Sequence, residues 1–317
     1  MSKKSISLTN VYKAISSVSV EAVLNQLNFR HGSLRSYLRS MFSGKQQLSD
    51  GFLADPVIEA IFGWHSANET MHELAEKNEI SPKLVKCMDG AFAPDTEKQR
   101  KKDEEQGKAR LGYAADIDED YTWPGNRPPY LHQLDAWRVL NQKQPRSTVV
   151  TSGTGSGKTE CFLVPLLNDL ANQAEQQDSP LIGVQAIMLY PLNALINSQQ
   201  ERLSAWTRGF DGKIRYALYT GETENTAPPK ATKTFKPNKP EKVEYREDIR
   251  NAPPPILVTN STILEYMLVR PIDKEILSKS KGKLRWIILD EAHTLVGTQA
   301  AEISMLLRRT MIAFDVK

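Results

Sequence analysis

From residue 147 onward, short apolar runs alternate with helical patterns along the chain. Runs of β-branched and aliphatic residues predict strands, and apolar residues that recur with the helical period predict helices. The predicted strands are Ser147–Ser152, Gly183–Tyr190, Ile214–Thr220, Ile256–Thr259 and Leu284–Asp290. The predicted helices between them include Glu160–Gln173, Ala194–Arg208, Thr262–Val269 and Ala300–Phe314. Strands that alternate with helices indicate right-handed βαβ units and a doubly wound, mainly parallel α/β sheet.

The N-terminal part of the chain shows helical patterns without alternating strands. The predicted helices there are Val18–Leu27, Leu34–Phe42, Phe52–Trp64 and Glu69–Lys77. A basic cluster in this part either contacts nucleic-acid phosphates or forms a solvated helix face: Arg30, His31, Arg35 and Arg39. Residues 95–120 are rich in charge, and prolines that forbid a continuous helix follow. We therefore predict a mostly α-helical N-terminal accessory region, residues 1–120, and an α/β domain, residues 121–317.

One stretch, Thr148 to Thr159, combines a β-branched run, a glycine-rich loop and the start of a helical pattern. Glycines allow successive backbone N–H groups to face an anion, and the following helix adds the positive end of its dipole. The loop residues that would surround a phosphate are Gly153, Thr154, Gly155, Ser156 and Gly157. Lys158 can reach the β- and γ-phosphates of a nucleotide, and the Thr159 hydroxyl can bind Mg²⁺. Ser152 occupies the first position, where the strict phosphate-loop pattern has glycine.

Two adjacent acids, Asp290 and Glu291, follow the apolar run Ile287–Leu289. An aspartate at a strand tip can complete a Mg²⁺ shell, and a neighbouring glutamate can polarise the water that attacks a γ-phosphate. Taken alone, Asp290–His293 also fits an ordinary turn at a strand end. The phosphate loop earlier in the same alternating pattern favours the catalytic interpretation. The sequence therefore predicts an ATP–Mg²⁺ site with Lys158, Asp290 and Glu291 as catalytic residues.

Ligands of doubly wound sheets bind at the carboxyl ends of the strands. Five segments are predicted at that edge: the phosphate loop, Tyr190-Pro191, Thr220-Gly221, Thr259-Asn260 and Asp290-Glu291. Their agreement predicts one site there. Residues 222–255 are rich in proline and lysine and are predicted to form a flexible insert. The lysines of this insert either contact a phosphate backbone or only keep the insert solvated.

Composition changes this picture little but excludes several classes of protein. With 40% hydrophobic and 25% charged residues over 317 positions, the chain can bury a globular core. Its net charge of +3 is too small to argue nucleic-acid binding by itself. Two isolated cysteines, Cys87 and Cys161, argue against a zinc site and fit a reducing cytoplasm. The sequence shows no signal peptide and no apolar run of roughly 18 residues, so we expect a cytoplasmic protein without a membrane partner.

These motifs resemble the first motor domain of superfamily 2 DEAD/DEAH-box helicases over about residues 125–317. Ser152–Thr159 is similar to motif I, and Asp290–His293 is similar to motif II. The resemblance implies a RecA-like fold, binding of ATP with Mg²⁺, adenine recognition by Gln133, and coupling of the ATP and nucleic-acid sites by His293. It also implies that residues similar to motifs Ia and Ib, and to the segment between them, contact a single nucleic-acid strand: Pro191, Asn193, Thr220, Gly221, Thr259 and Asn260.

The sequence departs from that family pattern after Asp290–His293. No Ser-Ala-Thr motif and no second motor domain follow before Lys317, so the α/β domain is expected to be incomplete at its C-terminus. The arginines of a second domain contribute roughly 10³ to 10⁵ to turnover. We therefore expect the isolated chain to bind ATP weakly, to hydrolyse it slowly and not to unwind a duplex alone. A second RecA-like domain, in the full-length protein or in another chain, is the expected partner.

Further residues narrow the resemblance. The phosphate loop with Glu160, and Asp290–Thr294 with Leu306–Arg309, are similar to YprA/MrfA-like bacterial DNA helicases, which favours DNA over RNA. Leu264–Leu268 with Arg270-Pro271 is similar to the helicase subunits of Druantia- and DISARM-type antiphage systems, so a role in antiphage defence or DNA repair is expected. The alternative is a non-catalytic fragment that recruits a partner or regulates through nucleotide binding. A phosphate-loop kinase or GTPase fits poorly, because no guanine-reading Asn-Lys-x-Asp motif occurs.

Overall fold

The computed structural model describes residues 8–27, 31–43, 63–91, 121–142, 146–153, 155–226 and 240–316. The chain divides into two compact units, Met1–Gly63 and Trp64–Lys317. This division falls earlier than the boundary predicted near residue 120. The reason is that residues 64–91 contribute to the same apolar core as the sheet.

The described residues of the N-terminal unit form two helices, α1 (Leu8–Gln26) and α2 (Gly32–Phe42). The two helices predicted in this stretch are confirmed, and α1 begins well before the predicted start. Arg35 and Arg39 of α2 both form ion pairs with Glu21 of α1. Two arginines of the predicted basic cluster are therefore engaged with α1.

Two further predictions fall outside the described residues. Arg30 of the basic cluster is one of them, and the predicted helix Phe52–Trp64 lies outside them except for its last two residues. The helix predicted at Glu69–Lys77 is confirmed as α3 (Met71–Glu76). It begins with a capping box, in which the Thr70 side chain and the Glu73 side chain each bond the other residue's backbone N–H.

The second unit places helices around one sheet. After α3 come α4 (Pro82–Met88), α5 (Leu131–Leu140), α6 (Lys158–Glu175), α7 (Asn193–Thr207), α8 (Arg246–Asn251), α9 (Ser261–Val269), α10 (Lys274–Ser280) and α11 (Thr298–Ala313). Single 3₁₀ turns occur at Arg208–Phe210, Pro271–Asp273 and Ala292–Thr294.

Five parallel strands form the sheet in the order β3-β2-β4-β1-β5. They are β1 (Ala186–Leu189), β2 (Tyr216–Tyr219), β3 (Lys242–Val243), β4 (Ile256–Thr259) and β5 (Trp286–Leu289). The register places Leu189 beside Thr259 and Leu289, and Tyr219 beside Thr259. Four strands therefore end level with one another, and the segments that follow them share one edge.

Helices cover both faces of the sheet, because alternate strand residues point to opposite sides. Ala186 and Met188 belong to a core cluster with residues of five helices, α3 to α7: Leu74, Leu84, Leu134, Leu163 and Ile196. Ile187 and Leu189 belong to a second cluster with residues of α8 to α11: Ile249, Leu264, Ile276 and Leu306. The protein is a doubly wound parallel α/β sheet preceded by helices, so the predicted fold class is confirmed.

The strand predicted at Ser147–Ser152 is wrong. Residues 146–153 form no strand, and Val149 is 88% exposed. β-branched residues fit a pleated, half-buried surface, but a strand also requires a hydrogen-bonded neighbour. None of the five strands in the described part of the chain pairs with this segment.

The segment predicted as a flexible insert, residues 222–255, is regular at its C-terminal end. Residues 240–255 contain β3 and α8, whereas residues 227–239 lie outside the described part. Prolines at this end lead into β4: the Pro253 carbonyl accepts from Gly183 N at 2.7 Å, and the Pro255 carbonyl accepts from Ala186 N at 2.9 Å. The number of prolines predicted a loop, but the carbonyl groups of these prolines extend the backbone hydrogen bonding between β1 and β4.

Candidate functional site

The phosphate loop Ser152–Thr159 leads directly into α6. Gly155 and Gly157 have φ angles of 76° and 74°, in the left-handed region that glycine adopts without steric strain. Gly157 is the N-cap of α6, so the unpaired N–H groups of the first helical turn lie next to the loop. A helix N-terminus of this kind attracts anions through its N–H groups and its dipole. Thr154 lies outside the described residues.

Lys158 is the first residue of α6, and its side chain folds back onto the loop. Its Nζ donates a hydrogen bond to the Ser152 carbonyl at 3.0 Å. The hydroxyls of Ser152 and Ser156 lie 2.6 Å apart, and Ser156 is buried. The loop is thus closed by contacts that the ammonium group can exchange for a phosphate oxygen, which is a stronger, charge-assisted partner.

Gln133, predicted to recognise adenine, lies on α5 and is buried. Its Oε1 accepts from Tyr130 N at 2.8 Å, and its Nε2 donates to the Gly157 carbonyl at 3.0 Å. A Cβ atom on Gly157 would lie only 2.3 Å from Nε2. In this structure Gln133 therefore holds the last glycine of the phosphate loop.

Two neighbours of Gln133 on α5, which sequence reasoning missed, also bond the loop. His132 Nε2 lies 3.0 Å from the Ser156 carbonyl, and Trp137 Nε1 donates to the Glu160 carbonyl at 2.8 Å. The signal that could have revealed them is a helix with polar ring nitrogens immediately before the phosphate loop. Three side chains of α5 therefore fix the loop and the first turn of α6.

A third missed contact comes from α7. Arg202 Nη1 lies 3.3 Å from Glu160 Oε1, in the first turn of α6. The guanidinium group lies over two rings, 5.3 Å from the centroid of Tyr121 and 5.8 Å from that of Trp206. No local pattern in the sequence predicts this pair, since the partners lie on different helices.

Asp290 follows β5 and reaches the same edge as the phosphate loop. Its backbone N donates to the Leu189 carbonyl at 3.1 Å, and its Oδ1 accepts from Glu291 N at 2.9 Å. Partial burial raises the pKa of the Asp290 carboxyl, while the Glu291 N–H and the charges of Lys158 and Arg202 oppose this rise. Trp286 Nε1 of β5 donates to Asp169 Oδ2 of α6 at 2.9 Å, so the strand that leads to Asp290 packs against the helix that begins at Lys158.

Glu291 has a left-handed backbone, with a φ of 50°. This conformation is uncommon for a residue with a Cβ atom and costs free energy. Its Oε2 lies 3.2 Å from Nδ1 of the exposed His293, and its carbonyl accepts from Thr294 Oγ1 at 2.8 Å. The strained turn places Glu291 and His293 directly after the Asp290 carboxylate.

The other part of this edge is formed where β2 and β4 end. We call it the β2–β4 end, and it comprises Thr220–Thr223, which follow β2, with Thr259, the last residue of β4, and Asn260. The Thr259 hydroxyl donates to the Tyr219 carbonyl at 2.6 Å and is buried. Thr220 Oγ1 accepts from Glu222 N at 3.2 Å. Gly221 is exposed, and a Cβ atom there would meet nothing within 4 Å.

Asn260 and Asn193 connect this end to α7. Asn260 Oδ1 caps α9 by accepting from Ile263 N at 2.9 Å, and its Nδ2 donates to Asn193 Oδ1 at 3.2 Å. Asn193 Nδ2 in turn donates to Glu222 Oε1 at 3.4 Å. Pro191, which precedes α7, is exposed. The six residues predicted to contact nucleic acid therefore lie along one edge, and Asn193 and Asn260 bond each other.

A buried hydrogen-bond network holds Tyr219, the last residue of β2, next to the β2–β4 end. Asp273 Oδ1 accepts from Tyr219 Oη at 2.6 Å and from Arg250 Nε at 2.9 Å, and Asp273 is fully buried. Burial raises the pKa of Tyr219 to about 12. Arg246 donates to the Thr220 carbonyl at 2.7 Å and, through Nε, to another carbonyl of the same loop at 2.8 Å. These residues were not predicted, and the two arginines come from α8, inside the segment expected to be a flexible insert.

The donor set at the phosphate-loop end fits a magnesium–nucleotide complex. Thr159 and Asp290 offer a hydroxyl and a carboxylate, hard oxygen ligands of the kind that Mg²⁺ uses together with substrate phosphates. Within the described ranges, no group of three or more His, Cys, Asp and Glu side chains is placed to hold a metal ion. A metal held by Thr159 and Asp290 would leave coordination positions for phosphate oxygens and water.

Comparisons with known proteins identify relatives of this chain. The chain is similar to Druantia protein DruE of Escherichia coli, with 28% identity over 59% of this chain and 15% of the relative. It is 28% identical to the ATP-dependent helicase Lhr-Core of Methanothermobacter thermautotrophicus, over 56% of this chain and 19% of that protein. An uncharacterized ATP-dependent helicase of Bacillus subtilis, YprA, is 24% identical over 57% of this chain and 20% of its own length.

Among solved structures, the crystal structure of the DUF1998 helicase MrfA bound to DNA and AMPPNP matches with a TM-score of 0.43 and 23% identity. The match covers 60% of this chain and 22% of that one. The matched part thus spans less than a quarter of the length of each of these relatives.

In the residues that the structure describes, no helix has both the length and the apolar character to cross a membrane.

The family profile of the DEAD/DEAH box helicases matches residues 130–315, which is more than half of the chain. This range begins just before α5, includes the phosphate loop and Asp290–His293, and ends just after α11. The chain belongs to the DEAD/DEAH box helicase family.

Proposed function

We propose that this chain is the ATP-binding half of a nucleic-acid-dependent helicase or translocase, and that it hydrolyses ATP at the phosphate-loop end. One observation carries the proposal: β5, which leads to Asp290 at the carboxyl edge of the sheet, packs beside α6, which begins at Lys158, through a 2.9 Å hydrogen bond from Trp286 Nε1 to Asp169 Oδ2. Ligands of doubly wound sheets bind at that edge. Family membership supports the proposal.

In the proposed site each residue has a separate task. Lys158 exchanges the Ser152 carbonyl for phosphate oxygens, and the N–H groups at the start of α6 hold the same anion. Thr159 and Asp290 would hold Mg²⁺, which supplies a divalent charge that neutralises the phosphates. Glu291 orients and polarises a water molecule, and the strained turn fixes its direction. Gln133 holds Gly157, and we propose that it also lies close to the adenine.

The β2–β4 end is proposed to hold a single nucleic-acid strand, DNA rather than RNA. Its exposed backbone and small polar side chains suit contacts to phosphate and sugar, which carry little sequence information. His293, next to Glu291, is proposed to couple this end to ATP hydrolysis. The similarity to Druantia protein DruE favours a role in antiphage defence, and DNA repair is the second proposed setting.

Calorimetric titration with ATP and Mg²⁺ tests the nucleotide site. Lys158→Ala is expected to weaken binding at least about tenfold, since a charge-assisted contact to phosphate is lost. Arg138→Met is the matched control, because Arg138 pairs with Glu69 and Glu79 on the outer side of α5. Equal affinity of the wild type and Lys158→Ala would show that the phosphate loop is not the site.

ATPase assays with single-stranded DNA, with single-stranded RNA and without either test the catalytic part of the proposal. Slow turnover that DNA stimulates more than RNA is expected. If nucleotide binds but no condition yields turnover, the chain acts as a nucleotide-binding module that recruits or regulates a partner.

A further inference from the structure

Glu160 lies in the first turn of α6, beside the phosphate loop. Its Oε2 is 2.9 Å from the position that a Cβ atom on Gly157 would occupy, and its side chain is only 14% exposed. An acid at this position stabilises a helix through the dipole. The same positive potential attracts the bound phosphate, so an unpaired Glu160 carboxylate would compete with the nucleotide.

Arg202 is the cation that pairs with this carboxylate. Its Nη1 lies 3.3 Å from Glu160 Oε1, on the side chain whose other oxygen faces Gly157. The guanidinium is held over the rings of Tyr121 and Trp206, and its side chain is only 20% exposed. Low exposure reduces screening, so the pair interacts more strongly than one at the surface.

Hydrogen bonding through Nη1 does not explain why Arg202 occupies this place. Its Nη1 is buried and makes no hydrogen bond of good geometry within the described part of the chain. Buried donors nearly always have a hydrogen-bond partner. Because Nη1 lacks one, the positive charge of Arg202 is the property that accounts for its position beside Glu160.

We propose that Arg202 is a positioning residue of the phosphate site, which neutralises Glu160 and holds it away from the bound anion. This inference rests on the proposed nucleotide-binding function and adds a contact from α7 to it. The positive charge of Arg202 lets α6 keep an acid in its first turn without repelling phosphate.

The full chain can be titrated with the fluorescent nucleotide mant-ADP and Mg²⁺. Arg202→Met is expected to weaken binding about tenfold, because the Glu160 carboxylate is left unpaired beside the phosphates. Arg202→Lys keeps the charge and is expected to stay within about threefold of the wild type. Arg138→Met, an ion-paired arginine remote from the loop, controls for loss of an arginine side chain.

A double-mutant cycle separates this electrostatic role from a structural one. Glu160→Gln should bind within about threefold of the wild type, and adding Arg202→Met to it should cause no further loss, since no carboxylate remains to be neutralised. A merely structural Arg202 would weaken binding about equally in both backgrounds. That result would overturn the inference.

Two other outcomes are distinguishable. If the wild type binds mant-ADP and Arg202→Met binds as tightly, only the inference is overturned. If the wild type does not bind it, the proposed function fails and the inference fails with it. If circular dichroism shows that Arg202→Met does not fold, the Glu160→Gln variant is compared with the double variant instead. Equal mant-ADP affinities of these two support the inference, and a double variant that binds more weakly or does not fold overturns it.

Discussion

At the β2–β4 end of the sheet edge, polar side chains bond to one another and to buried partners, whereas at the phosphate-loop end they hold contacts that a ligand can replace. Asp273 is fully buried between Tyr219 and Arg250. Lys158 instead holds a backbone carbonyl, and Glu291 lies beside the exposed His293.

This difference separates two ways of building a site. A buried hydrogen-bond network fixes the geometry before any ligand arrives, and breaking it costs folding free energy. Exchangeable contacts and a strained turn keep charges available, and altering them changes ligand binding more than stability. Substitutions at the two ends should therefore affect different measurements.

The largest stability effect is expected at Asp273. Asp273→Ala leaves Arg250 without its carboxylate in a largely buried position, so the free energy of unfolding should fall by about 3 kcal/mol. Urea denaturation checks this value. Glu265→Ala is the control, because its ion pair with Arg309 is exposed and should contribute no more than about 0.5 kcal/mol. Equal losses for the two variants would contradict the contrast between the ends.

Gly157→Ala should affect the phosphate-loop end through binding. The new Cβ would lie 2.3 Å from Gln133 Nε2 on a backbone with a φ of 74°. Because the loop must shift, mant-ADP affinity should fall at least about tenfold, roughly 1.4 kcal/mol.

Gly183→Ala is the matched control for that variant. Gly183 lies on the loop that leads into β1, and its φ is 103°. A Cβ atom there would lie 2.7 Å from the Lys279 carbonyl oxygen. Both variants should lose stability, but only Gly157→Ala should lose affinity. Loss of affinity in both would mean that general destabilisation explains the effect.

The smallest effect is expected at Glu291, where stability should rise. Glu291→Gly removes the steric cost of a left-handed backbone, and the greater freedom of glycine in the unfolded chain offsets part of this gain. We therefore expect the free energy of unfolding to rise by about 0.5 kcal/mol. Thermal unfolding measures it, and an ATPase assay should show loss of turnover. Asp211→Gly has a similar φ of 51° away from the site and should leave turnover unchanged. A loss of stability in Glu291→Gly would show that this turn is not strained.

The sequence predicted those parts of the site that are local. Lys158 and its glycines form a contiguous pattern, and Asp290 follows an apolar run, so both could be placed at a strand or helix end. The parallel fold followed from the alternation of the elements, and four of the predicted strands are present.

What the sequence did not predict depends on contacts between distant segments. Ser147–Ser152 has strand-forming residues but lacks a hydrogen-bonded neighbour in the sheet. Arg202 and Asp273 belong to no motif, and each acts on a residue far away in the chain. Residues 240–255 were predicted to be a loop from their prolines, and their regular structure depends on pairing with β2.

The position of β5 at the border of the sheet has a consequence for the solubility of this polypeptide. β5 pairs with β1 on one side, and no strand of the described ranges lies on the other. Its residues Trp286–Leu289 are uncharged and apolar, and an open edge of that kind recruits further strands, including those of other copies. Arg285 and Asp290 flank the run with opposite charges, as residues that limit aggregation commonly do. Asp290 thus places a negative charge directly after the apolar edge strand as well as at the phosphate-loop end.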